Sequence, residues 1–279
     1  MRMMTLKQAL ATGTLLAVAG LGAPLLAATQ EVTLDLVEPI TDYKLYVSDR
    51  TAQLVEDTGA LVAAIHAGDL EKAKALYAPT RTSYEEIEPI AELFADLDAS
   101  IDARADDYET AEKDPAFTGF HRIEYGLWVE KDTAAIAGYA DRLMADVKDL
   151  DQRIAALTFP PETVVGGAAA LMEEVAASKV SGEEDRYSRT DLWDFQANTD
   201  GAKKVFELVR PLIEPTDPAF VSTVQSNFDD VDQTLAHYRT ANGFEDYEEL
   251  SDQDRTLLSA RVNTLAEDLS TLRGKLGLD

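Results

Sequence analysis

The chain has 279 residues and is strongly acidic, with 52 Asp and Glu residues against 25 Lys and Arg and a formal net charge of −27. This charge argues against nucleic acid and anionic lipid as partners, and it concentrates cations near the surface, although acidity can also serve solubility alone. The absence of cysteine excludes disulfides and thiolate metal sites.

Residues 1–28 have the pattern of a cleavable signal peptide. Two basic residues precede a long apolar run, and Ala27 and Ala28 offer the small side chains found at cleavage sites. A transmembrane anchor is the alternative, but glycines and a proline interrupt the apolar run. We therefore expect a periplasmic product, and removal of residues 1–28, with two basic and no acidic residues, takes the net charge from −27 to −29.

The first half of the remaining chain has helical periodicity. Apolar residues recur at helical spacing, Asp69 is a good helix cap, and Pro79 is expected to end the helix that Asp69 begins. Pro89 is expected to kink the next helix. The predicted helices cover residues 41–68, 69–77, 80–94, 99–108, 115–128 and 132–157.

The second half is also helical, and a double proline separates it from the first. Pro160-Pro161 followed by Gly166-Gly167 predicts a boundary between residues 29–161 and residues 162–279. The second set of helices is predicted at residues 164–180, 188–213, 217–240 and 251–276. About four helices per half, joined by short loops, is typical of an all-α protein built from helical bundles.

Of the three histidines, His121 is the candidate metal ligand. His66 and His237 lie near predicted helix ends, where an imidazole complements the helix dipole. His121 and Glu124 are three residues apart, which on a helix places both on one face. An imidazole combined with carboxylates suits iron, zinc or copper better than calcium or magnesium. Two ligands cannot hold an ion, so other donors must come from elsewhere in the chain.

An acidic stripe supplies candidates for those donors. Glu85, Glu88 and Glu92 fall at i, i+3 and i+7 of the predicted helix over residues 80–94. Carboxylates in such a row repel one another unless a cation or solvent separates them. A solvated acidic face without a function is the alternative interpretation.

Several segments together resemble the imelysin-like family, in particular the periplasmic component of Efe-type ferrous-iron uptake systems. The sequence from Gly119 to Glu124 fits the family signature Gly-x-His-x-x-Glu. The matching stretches are residues 77–81, 84–94, 102–104, 114–128, 181–187 and 191–198.

The resemblance implies an all-α fold of two four-helix bundles with a cleft between them. It implies that His121 and Glu124 bind metal, and that Glu85, Glu88, Asp102 and the acids at residues 183–185, among which Glu184 is favoured, form a carboxylate site. Whether these residues make one site or two is left open. Longer family members carry a cupredoxin domain before the helices, and the short stretch between residue 28 and the first predicted helix has no room for one.

The resemblance implies a non-enzymatic carrier that captures Fe(II) or Fe(III), with zinc or copper able to substitute in vitro. The expected partners are a membrane iron permease and a haem-peroxidase-like periplasmic protein. One alternative is a metallopeptidase, although no His-Glu-x-x-His sequence is present. Another is binding of an acidic polysaccharide such as alginate through a bridging metal.

Overall fold

The computed structural model describes residues 35–177 and 179–278 and has an all-α fold. The prediction of a signal peptide over residues 1–28 lies outside the described residues. The helices are α1 (Val37–His66), α2 (Leu70–Glu85), α3 (Glu88–Ala91), α4 (Ala95–Ile101), α5 (Gly119–Tyr125), α6 (Thr133–Ala156), α7 (Pro161–Ala177), α8 (Asp191–Ile213), α9 (Pro218–Ala236), α10 (Asp252–Ser270) and α11 (Leu272–Lys275).

Short elements complete the description. Single 3-10 turns cover Glu92–Phe94, Ala105–Asp107, Ala111–Lys113, Lys179–Ser181 and Tyr247–Glu249, and a π-helical turn covers Gly126–Glu130. Strands β1 (Arg239–Thr240) and β2 (Gly243–Phe244) form a two-stranded antiparallel ribbon in which Arg239 pairs with Phe244. In the part of the chain that the structure describes, no helix combines the length and apolar character needed to cross a bilayer.

Two groups of helices pack side by side. In the first, α1 lies against α2 and α6, and α5 also packs on α6. In the second, α7 lies against α8 and α10, and α9 packs on α10. Contacts between α2 and α8 join the groups, and one continuous core of buried apolar side chains runs through both. The division into residues 29–161 and 162–279 therefore stays a prediction.

The prediction that Pro79 ends a helix is wrong, because α2 continues through Pro79 to Glu85. A proline inside a helix costs the hydrogen bond to the carbonyl four residues earlier. The hydroxyl of Thr80 donates to the Leu76 carbonyl at 2.7 Å in the same turn. Burial of Tyr77 and Tyr84, one on either side of the proline, holds the continuous helix in place.

The single helix predicted over residues 80–94 is also broken. The chain leaves helical geometry at Ile87, where φ is −119° and ψ is 9°, and Pro89 lies in the first turn of α3. Proline is favoured there because the first turn needs no backbone N–H partner. Glu85 and Glu88 thus lie on two helices rather than on one stripe.

The predicted helices over residues 99–108 and 115–128 are shorter in the structure, where α4 ends at Ile101 and α5 begins at Gly119. Gly119 has φ of +75°, and a Cβ atom there would lie 2.1 Å from the carbonyl oxygen of Ile101. Only glycine lets α5 start this close to the end of α4. This close approach brings His121 next to the residue that follows α4.

Gly166 and Gly167 lie inside α7, which begins at Pro161, three residues before the predicted start at residue 164. Glycine disfavours a helix by about 1 kcal/mol, but burial of a helix face outweighs this cost. Val165, Ala168 and Met172 are fully buried along α7.

Replacing glycine by alanine at Gly119 and, separately, at Gly138 tests whether α5 needs a glycine at its start. We expect Gly119→Ala to destabilise the fold by about 2 kcal/mol or more, because the added methyl meets backbone and φ is positive. Gly138→Ala is the matched control: Gly138 lies in α6 with open space around it, so alanine should stabilise by about 0.5–1 kcal/mol. Urea unfolding measures both, and equal effects of the two substitutions would contradict the account.

Candidate metal-binding site

The side chains predicted as ligands come from separate elements and meet near the contact between α2 and α8. Glu85 ends α2, Asp102 follows α4, and His121 lies on α5. Ion pairs and hydrogen bonds, several of them made by Arg81 and Lys179, connect all six predicted residues into one network. The six are Glu85, Glu88, Asp102, His121, Glu124 and Glu184.

A close approach of α8 to the end of α2 builds one wall of the site. A Cβ atom at Gly201 would lie 2.3 Å from the carbonyl oxygen of Glu86, so a larger residue would push the two helices apart. Asn198, one turn earlier on α8, donates its side-chain N–H to the Glu85 carbonyl at 2.9 Å. The amide thereby satisfies a carbonyl at the C-terminal end of α2.

Arg81 lies at the centre of the network and is fully buried. Its Nη1 is 2.5 Å from Asp102 Oδ1, and its Nη2 is 3.3 Å from Glu184 Oε1. Although burial disfavours the charge, the surrounding carboxylates raise the pKa of Arg81 well above its ordinary value. The carboxylates within ion-pair distance of the guanidinium are Glu85, Asp102, Glu184, Asp185 and Asp194.

Glu124 is held firmly by backbone and side-chain donors. Its Oε1 accepts from the backbone N–H of Tyr187 at 2.8 Å, the N–H of Ser188 at 2.7 Å and the Ser188 hydroxyl at 2.9 Å. Its Oε2 is 3.2 Å from His121 Nδ1. A carboxylate fixed in this way orients the imidazole and directs its other nitrogen elsewhere.

The second nitrogen of His121 faces two carboxylates. Nε2 is 3.7 Å from Asp102 Oδ1 and 3.6 Å from Glu184 Oε1. Donor atoms that share one ion at about 2.1 Å are about 3–3.5 Å apart, so these three are close to the spacing that one ion needs. The Arg81 guanidinium also lies beside them, with Nη1 3.4 Å from His121 Nε2. A second group with donors equally close consists of His121, Glu124 and Asp185, and all three of these residues are buried.

The environment of His121 favours the imidazolium form. Burial and the charge of Arg81 oppose protonation, but the hydrogen bond to Glu124 together with the nearby carboxylates of Glu184 and Asp102 raises the pKa of His121 to about 10. Although burial also opposes its ionisation, Lys179, His121 and Arg81 hold the pKa of Glu184 well below its usual value. In the ion-free protein these two side chains therefore form a charged pair.

Lys179 connects the other two predicted carboxylates. Its Nζ is fully buried, 2.5 Å from Glu85 Oε2 and 3.2 Å from Glu88 Oε2. Asn198 donates to the same two oxygens at 3.2 and 2.9 Å. Burial, only partly offset by Lys179, raises the pKa of Glu88 well above its usual value.

An acid-lined cavity of about 290 Å³ opens the network to the surface. Burial and neighbouring carboxylates raise the pKa of Glu174 in its wall to about 7. Arg104, also in the wall, donates to Glu184 Oε2 at 2.8 Å. The titratable lining residues are Glu88, Glu92, Asp98, Asp102, Arg104, Asp107, Glu174 and Glu184.

Arg81, Lys179 and Asp194 take part in the network but were not predicted from the sequence. Arg81 could have been found, because it precedes Glu85 by four residues on a helix, which is ion-pair spacing. Nothing near Lys179 in the sequence signals its role, because its carboxylate partners are about 90 residues away along the chain.

The other two histidines do not join the network. His66 Nε2 lies 2.7 Å from Asp141 Oδ1 on an exposed surface, and His237 follows the last residue of α9 as its cap. Both positions agree with their assignment to helix ends.

Comparison with known proteins identifies the family. The family model described as imelysin, peptidase M75, matches residues 39–272. The chain belongs to the imelysin family.

Two imelysin relatives show the similarity in detail. The iron uptake system component EfeM of Pseudomonas syringae pv. syringae (strain B728a) is 58% identical over 260 residues, which cover 93% of this chain and 91% of EfeM. EfeO of Escherichia coli (strain K12), also named an iron uptake system component, is 58% identical over 253 residues, which cover 91% of this chain and 68% of EfeO.

These relatives confirm the resemblance drawn from the sequence. EfeM is the shorter of the two uptake components, and the match covers nearly its whole length. The peptidase label of the imelysin family is not by itself evidence of an activity, and the relatives are named as uptake components.

The contact between Glu124 and His121 predicts a measurable titration. The pKa of His121 is raised from 6.5 to about 10, so protonated His121 stabilises the folded state. This stabilisation is fully present below pH 6.5 and is lost as pH rises through 10. Glu124→Gln should lower the pKa of His121, as NMR titration of the imidazole will show. Asp141→Asn, beside the exposed His66, should leave the His121 titration unchanged. An unchanged His121 pKa in Glu124→Gln would contradict the assignment.

Proposed function

We propose that this protein is a periplasmic carrier that binds iron as its cargo and takes part in iron uptake without catalysing a reaction. The observation that supports this most directly is the approach of Asp102, His121 and Glu184 at the edge of an acid-lined cavity. Oxygen donors with one imidazole suit iron. The names of the 58% identical relatives support the same role.

The geometry supports different roles for the six predicted ligands. Asp102 and Glu184 line the cavity and approach His121 Nε2, so we propose these three as the first ligands that an entering ion meets. Glu124 is better suited to orient the imidazole, because its oxygens already accept from Ser188 and lie beside Nδ1. Glu88 also lines the cavity and Glu85 is fully buried, and both would complete the set of oxygen donors.

We propose that the protein is exported through a signal peptide over residues 1–28. We also propose that it delivers iron to a membrane permease together with a haem-peroxidase-like protein. Mass spectrometry of the protein from a periplasmic fraction tests the first point, since the chain should begin after Ala28. Co-purification with the permease from membranes of the source cells tests the second, and loss of this association on adding iron chelator would support delivery of the loaded form.

Substitution of a cavity carboxylate tests iron binding. We expect Asp102→Asn to weaken Fe(II) binding about tenfold or more in anaerobic titration calorimetry, because it removes a charged oxygen donor near His121. His121→Ala should act in the same direction, and the circular dichroism of both variants should stay helical.

The control removes the same charge at a distance from the cavity wall. Asp96 is exposed and pairs with Arg153 at 3.0 Å. Asp96→Asn should bind Fe(II) like the unaltered protein, because exposed ion pairs contribute little. Equal loss in Asp96→Asn and Asp102→Asn would mean that only the general negative charge attracts iron, and the proposed site would be wrong.

A further inference from the structure

Lys179 occupies a position that an iron ion would need. The ammonium group is fully buried and touches Glu85 Oε2 and Glu88 Oε2, which belong to two of the proposed ligands. The other oxygen of Glu85 contacts Arg81 Nη2. Both oxygens of Glu85 are therefore engaged by cations of the protein itself.

The two cations hold their partners differently. The guanidinium of Arg81 is planar and is fixed by acceptors from several elements at once. Lys179 is a compact charge on a flexible four-carbon stem, and it projects from the short turn Lys179–Ser181 after α7. Its ammonium can shift along this stem without rearranging a helix, whereas Arg81 cannot.

Lys179 does not line the cavity, but two of the carboxylates near it do. Glu88 and Glu184 line the cavity, while Lys179 is fully buried behind them. An ion that moves from the cavity toward Glu85, which is fully buried, approaches a like charge. It must either displace the ammonium from the shared oxygens or bind beside it, and both cost binding free energy.

A purely structural salt bridge is the simpler interpretation of Lys179. Buried ion pairs contribute little net stability, because desolvation of both groups offsets their attraction. A structural role alone predicts that removing Lys179 disturbs the carboxylates and weakens metal binding. A competing role predicts the opposite sign, so the two interpretations can be separated by one measurement.

We propose that Lys179 is a built-in competing cation, which holds Glu85 and Glu88 in the ion-free protein and lowers the affinity of this site for iron so that the ion can be released. This inference rests on the proposed iron-carrier function and adds a determinant of affinity within the same site. A carrier needs this balance, because an ion held by every available carboxylate would leave slowly.

The test measures Fe(II) affinity of the full chain by anaerobic titration calorimetry. We expect Lys179→Met to lower the Kd for Fe(II) about tenfold or more, which corresponds to about 1.4 kcal/mol, because it removes a buried like charge. Lys72→Met is the matched control, since Lys72 is exposed on α2 and its removal changes the net charge equally. Its Kd should stay within about twofold of the unaltered protein.

A second pair of variants covers the case in which Lys179→Met fails to fold. Comparing Glu88→Gln with the double variant Glu88→Gln/Lys179→Met removes the ammonium together with one of its carboxylate partners, so the buried charge stays balanced. The double variant should bind Fe(II) about tenfold or more tightly than Glu88→Gln alone.

The outcomes distinguish the two proposals. If the unaltered protein shows no saturable Fe(II) binding, the carrier function itself is wrong. If the unaltered protein binds Fe(II) in a manner that depends on Asp102, but loss of Lys179 leaves the affinity equal or weaker, the carrier function stands and the competing role of Lys179 is overturned.

Discussion

The buried charge of Arg81 is the interaction on which the rest of the site depends. A guanidinium offers five N–H donors in a fixed plane, and here they reach carboxylates from α2, from α8 and from the segments that follow α4 and α7. Burying several carboxylates without such a partner would be prohibitive. Arg81 therefore allows acidic side chains to collect where the two groups of helices meet, and it connects the groups while doing so.

Arg81 does not balance the network alone. Seven carboxylates take part against four cationic side chains: Glu85, Glu88, Asp102, Glu124, Glu184, Asp185 and Asp194 against Arg81, Arg104, His121 and Lys179. Burial and the charge of Glu124 raise the pKa of Asp185 to about 6 although Arg81 opposes the shift. The surplus is negative, so a multiply charged cation is the kind of ligand that this interior accommodates, and surface acidity brings such ions to the cavity.

How much of this could be predicted from the sequence depends on how local each feature is. The i, i+3 spacing of His121 and Glu124 predicted their contact, and the structure places their atoms 3.2 Å apart. Asp69 was predicted to cap a helix, and its side chain caps α2. These features depend only on neighbouring residues, so periodicity and capping rules suffice.

Features set by tertiary packing could not be predicted in this way. Pro79 looked like the end of a helix, but buried tyrosines on both sides keep α2 continuous. Glu85 and Glu88 were expected to share a helical stripe; they share Lys179 instead, across a break in the backbone. The resemblance to imelysins selected carboxylates that the structure brings together around Arg81 and Lys179, and periodicity alone did not predict this meeting. The cations that neutralise them became visible only in three dimensions.

The site combines groups that are held in place with groups that can move, and this combination suits the proposed carrier function. Glu124 is held by three N–H and O–H donors deep in the structure, so the orientation of His121 does not depend on an ion being present. Asp102 and Glu184 lie at the cavity edge, where their partners are long cationic side chains such as Arg104. A preorganised imidazole lowers the entropy cost of capture, while carboxylates that can return to cationic side chains lower the cost of release. In the proposed carrier, the same internal ion pairs that stabilise the fold would replace the iron ion when it leaves.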